Sequence, residues 1–98
     1  MAIVDWAFIA LGNGREAADG ERAVVEFDGL TSRFVVVPDA AAAVAVAASL
    51  VASGVQTVEL CGAFSPAEVA AVRGVTGSVP VGAVQYGVDS VQGFAALL

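Results

Sequence analysis

The chain lacks two residue types that many functional sites need. Its 98 residues include no histidine and no lysine, a single cysteine and four arginines. Without histidine, no Cys-His pair can form within the chain. One cysteine plus carboxylates is also a poor ligand set for a catalytic metal. We therefore expect no metal site and no cofactor, and the lone cysteine cannot form an internal disulfide.

Positive charge is scarce as well, since the formal net charge is −6. A nucleic-acid surface needs clustered cations, and an anionic membrane attracts them. The longest apolar run, residues 40–48, is short of the ~20 residues that cross a bilayer. The apolar start carries Asp5 and no basic residue, which indicates a first strand rather than a secretion signal. We expect a soluble, cytoplasmic protein without nucleic-acid or membrane partners.

What the sequence has in excess is apolar surface. Hydrophobic residues make up 58% of the chain and charged residues 14%, which excludes intrinsic disorder. The length suits one hydrophobic core, so residues 1–98 are predicted to form a single domain.

Apolar segments bounded by glycine and proline predict the strands. The first, residues 2–11, is expected to be buried on both faces, and further strands are expected at 34–37, 55–61 and 79–85. Pro80 and Gly82 put the last strand near a sheet edge. Residues 15–30 have two interpretations. They form either a helical turn at 15–20 and a strand at 23–27 closed by an Asp28-Gly29 hairpin turn, or a helix through 22–27.

Capping residues predict the helices. Asp39 is a good N-cap for the alanine-rich run to residue 53, and Gly54 suits the position after its end. Ser65 and Glu68 form a capping-box pattern with Pro66 between them, which opens a second helix to residue 73. A short helix is predicted at 89–98.

Strands that alternate with helices predict an α/β fold. We expect a small doubly wound, mainly parallel sheet of four or five strands with helices on both faces. The alternative is an α+β ferredoxin-like sandwich, which the hairpin at Asp28-Gly29 would favour.

In a parallel sheet the carboxyl ends of the strands share one edge, where ligands bind. This rule brings together the segments 12–14, 61–65 and 85–87. A helix start at residue 65 also favours a nearby anion. The predicted ligand-binding residues are Gly12, Asn13, Glu59, Cys61, Gly62, Phe64, Ser65, Tyr86 and Gly87.

Two of these residues are also catalytic candidates. Cys61 is either a nucleophile near a helix N-terminus or a small buried apolar residue. Glu59 is either a general base or the partner of Arg22 or Arg15 in an ion pair. Arg22 and Arg33 could hold an anion or form surface ion pairs.

The stretches ELCGAFSP (59–66) and VPVGAVQYG (79–87), with LVASGV (50–55) upstream, resemble a family of short bacterial proteins of unknown function. Members carry Glu-Leu-Cys-Gly-Gly-Phe-x-Pro and Val-Pro-Val-Gly-x-Val-x-Tyr-Gly, and the resemblance covers mainly residues 35–88. Ala63 departs from the pattern, and Glu21 stands where relatives have a histidine. The resemblance supports the location of the site and implies no activity.

The alanine-rich helix carries no charge after its cap and is apolar all round, as is the segment 94–98. Apolar surfaces of this kind are usually buried against another surface. We therefore predict a homodimer or larger homo-oligomer that forms through this helix and the C-terminus. High helix propensity of alanine is the other explanation. For function, we expect binding of a small molecule, with an anion as one candidate, near residues 61–65; the alternative is an assembly module without a substrate. Whether any reaction is catalysed stays open.

Overall fold

The computed structural model describes residues 2–98, which form one five-stranded sheet and three helices. In chain order, the elements are β1 (Asp5–Leu11), β2 (Glu21–Phe27), β3 (Leu30–Val37), α1 (Ala40–Ala52), β4 (Val58–Leu60), α2 (Pro66–Arg73), β5 (Val81–Ala83) and α3 (Val88–Ala95).

The sheet is mixed but mostly parallel, in the order β2-β3-β1-β4-β5. Only β2 and β3 run antiparallel; the other three pairs are parallel. The predicted α/β class with a mainly parallel sheet is therefore confirmed, and β5 lies at an edge as expected. The ferredoxin-like alternative is wrong, because α+β folds of that kind rest on an antiparallel sheet.

The hairpin between β2 and β3 is the predicted Asp28-Gly29 turn. Asp28 has φ 51° and Gly29 has φ 82°, the two positive angles of a type I′ turn. The alternative of a helix through 22–27 is wrong, and residues 15–20 form a loop rather than a helical turn.

Chain direction decides where the helices lie. The crossover through α1 leads from β3 to β4, and that through α2 leads from β4 to β5, so both move the same way across the sheet. Right-handed crossovers that move the same way place their helices on the same face. One core cluster accordingly joins both helices to alternate strand residues: Ala7, Ile9, Val35, Val37, Ala43, Val46, Ala47, Leu50, Val58, Leu60 and Val72.

Neither of these helices covers the opposite face. The connection from β1 to β3 crosses the sheet in the opposite direction. It contains the hairpin strand β2, whereas a doubly wound fold would have a helix there. The expectation of helices on both faces therefore differs from the structure, and β1 is fully buried on one face only. The uncovered side is the open sheet face. By strand alternation and register it carries Trp6, Phe8, Ala10, Glu21, Ala23, Val25, Phe27, Leu30, Ser32, Phe34, Val36 and Glu59.

The helix ends follow their capping residues. The Asp39 carboxylate accepts a hydrogen bond from the Ala42 N–H at 2.8 Å, and Gly54 follows α1 with φ 105°. Ser65 and Glu68 form the predicted reciprocal capping box at the start of α2. No helix within residues 2–98 combines the length and apolarity that crossing a membrane requires.

Candidate functional site

The carboxyl ends of β1, β4 and β5 meet, as the parallel arrangement requires. The Cys61 N–H donates to the Ile9 carbonyl at 3.1 Å, and the Val84 N–H donates to the Leu60 carbonyl at 2.9 Å. The segment after β4 therefore lies between the ends of its two neighbours. Gly62 then reaches the ring of Tyr86, which follows β5.

A groove of about 600 Å³ opens beside this meeting point. Its floor is the chain that leaves β5, and its walls are α2 with the loop before it on one side and α3 on the other. The lining residues are Gly62, Phe64, Pro66, Val69, Arg73, Ala83, Val84, Gln85, Tyr86, Val91 and Phe94.

Each helix presents one face to the groove. Pro66, Val69 and Arg73 follow the spacing i, i+3, i+7 along α2, and Val91 and Phe94 are three apart on α3. Such residues share a face of an α-helix. Because the capping box fixes where α2 begins, it also fixes which side chains of α2 reach the groove.

An aromatic pair forms one wall. The rings of Tyr86 and Phe94 are stacked with their centroids 4.2 Å apart and their planes 18° apart. Tyr86 lines the groove and is 45% exposed. A stacked pair of this kind offers a flat apolar surface with one hydrogen-bonding group.

The charge in the groove is positive, although the chain is acidic overall. Arg73 is the only charged residue in the lining, and its guanidinium has no hydrogen-bond or ion-pair partner within residues 2–98. The one carboxylate of α2, that of Glu68, accepts the N–H of Ser65 at 2.8 Å in the capping box. The groove therefore combines an unpaired cation with apolar walls.

The two catalytic candidates do not line the groove. Glu59 is exposed on the open sheet face, where it borders a hollow of about 250 Å³. Cys61 is half-buried against the core, and its sulfur accepts the Leu11 N–H at 3.4 Å. This packing is the one expected for Cys61 as a small apolar residue, and within residues 2–98 neither Cys61 nor Glu59 is hydrogen-bonded to another side chain.

The expected ion pair of Glu59 with Arg22 or Arg15 is absent from the described part of the chain. The Arg22 guanidinium donates instead to the Asp19 carbonyl at 2.8 Å. The one salt bridge within residues 2–98 joins Arg33 to Asp5, with the guanidinium Nε and Nη2 donating to the two carboxylate oxygens at 2.8 and 2.9 Å. Arg33 thus has the surface ion-pair role, and its hydrogen bonds hold the pKa of the Asp5 carboxyl below its usual value.

The loop after β1 binds an anion of its own chain. The Glu16 carboxylate accepts the N–H of Asn13 at 3.0 Å and that of Gly14 at 3.1 Å. These backbone donors lower the pKa of Glu16. Gly12 is packed against the same carboxylate, and neither Gly12 nor Asn13 reaches the groove. An external anion at this loop would have to displace Glu16.

Of the nine predicted ligand-binding residues, Gly62, Phe64 and Tyr86 line the groove. Ser65 and Gly87 flank it as the N-caps of α2 and α3. The prediction did not include Arg73 or Phe94. The capping box could have identified Arg73, because it fixes the start of α2 and hence the face that residues 66, 69 and 73 share.

Comparison with known proteins gives a family without an assigned activity. Residues 4–98 match the model of DUF6506, described as a family of unknown function. No curated protein and no solved structure shows significant similarity to the chain. The expected relationship to a family of unknown function is confirmed, while the family motifs and the bacterial origin stay predictions.

Proposed function

Because the chain belongs to DUF6506, a family of unknown function, we propose its role from the groove itself. The groove binds a small organic anion that has a flat apolar portion. The anionic group pairs with Arg73, and the flat portion lies against Tyr86 and Phe94.

The observation that carries this proposal is the unpaired guanidinium of Arg73 in an apolar groove without a carboxylate. The chain has ten acidic residues and four arginines, so a groove lined by a cation alone runs against the overall charge. A carboxylate, sulfonate or phosphate on the ligand would form two parallel hydrogen bonds with a guanidinium.

The size and shape of the groove suit an organic molecule better than a bare ion. Small-molecule sites are typically clefts of ~300–1,000 Å³ lined by apolar and aromatic residues with a few polar groups. The groove, at about 600 Å³, has this composition, since Phe64, Val69 and Phe94 accompany Tyr86 and Arg73. A bare anion would use Arg73 and leave the apolar walls uncovered.

Calorimetric titration with 2-naphthoate and its neutral amide tests the proposal. The two probes have the same ring system and differ in charge. We expect the carboxylate to bind about tenfold tighter, because a charge-assisted contact is worth roughly 1.5–3 kcal/mol before solvent screening. Arg73→Gln should abolish this preference and leave weak binding of both probes.

Arg15→Gln is the matched control, because it removes the same charge from an exposed arginine outside the groove. It should bind 2-naphthoate as the wild type does. Equal affinity of the wild type for both probes, or equal losses in the two arginine variants, would refute the proposed role of Arg73. Absence of saturable binding would refute the proposed site.

A second candidate function is assembly without a ligand. The observation that favours it is the open sheet face, on which Phe27 is 79% exposed. The two candidates are compatible, because the groove lies beside α2 and α3 and the open sheet face lies on the side that α1 and α2 leave uncovered.

The proposed location in the cytoplasm rests on the acidic composition and the single free cysteine.

A further inference from the structure

The open sheet face exposes large apolar side chains along its long strands. Val25 is 55% exposed, Phe27 79%, Leu30 39% and Phe34 36%. Ile3, just before β1, is also exposed and borders the same surface. Monomeric proteins rarely leave contiguous apolar patches of more than a few hundred Å² in contact with water, so this face needs cover.

We propose that two copies of this chain associate through their open sheet faces in a two-fold symmetric dimer. Phe27 of each copy enters the hollow of about 250 Å³ on the other, which is lined by Ile3, Trp6, Leu30, Thr57 and Glu59. The proposal stands independently of ligand binding in the groove.

Charged residues are few on the open sheet face. The central strand β1 and its neighbour β3 present no charged residue on this face; the charges there are Glu21 on the edge strand β2 and Glu59 on β4, which borders the hollow. A centre with few charged residues is typical of a protein interface. The arginines of these strands, Arg22 and Arg33, lie on the opposite face, so the open sheet face offers no cation to a partner's carboxylate, and association through it would be apolar rather than ionic.

The area of the open sheet face comes close to that of a standard interface. From a strand spacing of about 4.8 Å and a rise of about 3.3 Å per residue, β2, β3 and β1 together cover roughly 14 by 23 Å. With β4 and β5 the flat footprint is on the order of 400 Å². Because side chains project from the sheet, their solvent-accessible area is larger than this flat footprint. The face therefore approaches the ~600–1,000 Å² that each partner buries in a standard interface.

Symmetry places Phe27 over the hollow. A two-fold axis that runs along the strands, between β3 and β1, exchanges the flanking strands, so β2 of one copy faces β4 of the other. Phe27 ends β2, and Thr57 immediately precedes β4 at the same end of the sheet. An exposed aromatic residue that fills a pocket on its partner is the typical anchor of an interface.

Other occupants fit less well. The net charge of −6 and the absence of lysine disfavour an anionic lipid surface. The outer row of α1, where self-association is also predicted, exposes only small side chains at Ala41, Ala45, Ala48 and Ala52. These side chains bury less area per residue than the aromatic and branched residues of the open sheet face.

Neighbouring residues of β2 provide a matched test. Val24 and Val25 are 53% and 55% exposed, and by alternation they point to opposite faces. Sedimentation equilibrium of the full chain should give twice the chain mass of 9.7 kDa. Val25→Glu should weaken the dimer about a hundredfold or more and Phe27→Ala about tenfold or more, whereas Val24→Glu should leave it unchanged. Circular dichroism of each variant checks that it is folded.

Trp6 gives a readout that needs no substitution. It is the only tryptophan in the chain and lies on the open sheet face. Its emission should move to longer wavelength as the wild type is diluted and the dimer dissociates, at the same concentrations at which the mass falls. A monomeric wild type would overturn the proposal. So would equal dissociation by Val24→Glu and Val25→Glu, or a dimer that Ala45→Glu on α1 disrupts and Val25→Glu does not.

Discussion

Gly62 lies directly against the ring of Tyr86. A Cβ atom at residue 62 would be 2.7 Å from Cε2 and 3.3 Å from Cδ2 of that ring. Real side chains essentially never approach so closely, so the absence of a side chain at residue 62 allows the loop after β4 to meet the chain after β5. This contact positions the tyrosine that stacks on Phe94 in the groove.

Substitution of Gly62 should therefore disturb the groove. In Gly62→Ala the new methyl group must displace the ring of Tyr86, and we expect a loss of about 1–3 kcal/mol in the free energy of unfolding, as for overpacking elsewhere. Binding of 2-naphthoate should weaken in parallel. Gly82→Ala is the control, because nothing lies within 4 Å of its added Cβ. Urea unfolding measures both, and similar losses in the two variants would show that crowding against Tyr86 is not the cause.

The capping box should stabilise the helix that carries Arg73. Ser65→Ala removes the side chain that accepts the Glu68 N–H at 3.2 Å, and N-cap losses of this kind cost about 1 kcal/mol. For a domain of this size, that corresponds to a fall of roughly 4–8 °C in the melting temperature. Ser78→Ala, at an exposed loop serine, should leave the melting temperature nearly unchanged. An equal melting temperature for wild type and Ser65→Ala would exclude a stabilising cap.

The ion pair between Asp5 and Arg33 should make stability depend on pH in the acid range. Hydrogen bonds from Arg33 lower the pKa of the Asp5 carboxyl below its usual 3.8. The folded state therefore binds this proton less readily than the unfolded chain. The stabilisation is complete above pH 3.8 and is lost as the pH falls through the lowered pKa.

Asp5→Asn removes this titration. The difference in unfolding free energy between wild type and variant should be constant near neutral pH and shrink as the pH drops below 3.8. Glu16 also has a lowered pKa, from a usual value of 4.5, so the comparison is best repeated in a Glu16→Gln background. A difference that does not change with pH would mean that the ion pair adds no pH-dependent stability.

Cys61 should react slowly with thiol reagents while the protein is folded. Its side chain is half-buried against the core, and its sulfur accepts the Leu11 N–H. Labelling with a chromogenic disulfide at neutral pH should be slow in buffer and fast in denaturant. Fast labelling of the folded protein would instead favour the nucleophile interpretation of Cys61.

The local elements could be predicted from the sequence because their causes are local. Asp39, Gly54 and the Ser65–Glu68 pair mark helix ends through contacts within a few residues. Asp28-Gly29 specifies its turn through its own backbone angles. The meeting of the chain after β4 with Tyr86 followed from the parallel direction of the strands alone.

The remaining features depend on contacts between distant residues. Strand order decides which sheet face receives the helices, and no segment of the sequence encodes that order by itself. The assignment of β1 as buried on both faces failed for this reason. Likewise, Gly12 and Asn13 resemble an anion-binding loop in sequence, and only the folded loop shows that Glu16 occupies it.

The most direct test of the groove as the binding site is a titration of the ¹⁵N-labelled protein with 2-naphthoate, followed by NMR. Binding in the groove should give saturable shifts at the amides of Gly62, Tyr86 and Phe94 and at the side-chain Nε of Arg73, with the amides of Asn13 and Gly14 unmoved. Shifts confined to the loop at Glu16 or to the open sheet face, or shifts that persist unchanged in Arg73→Gln, would contradict it.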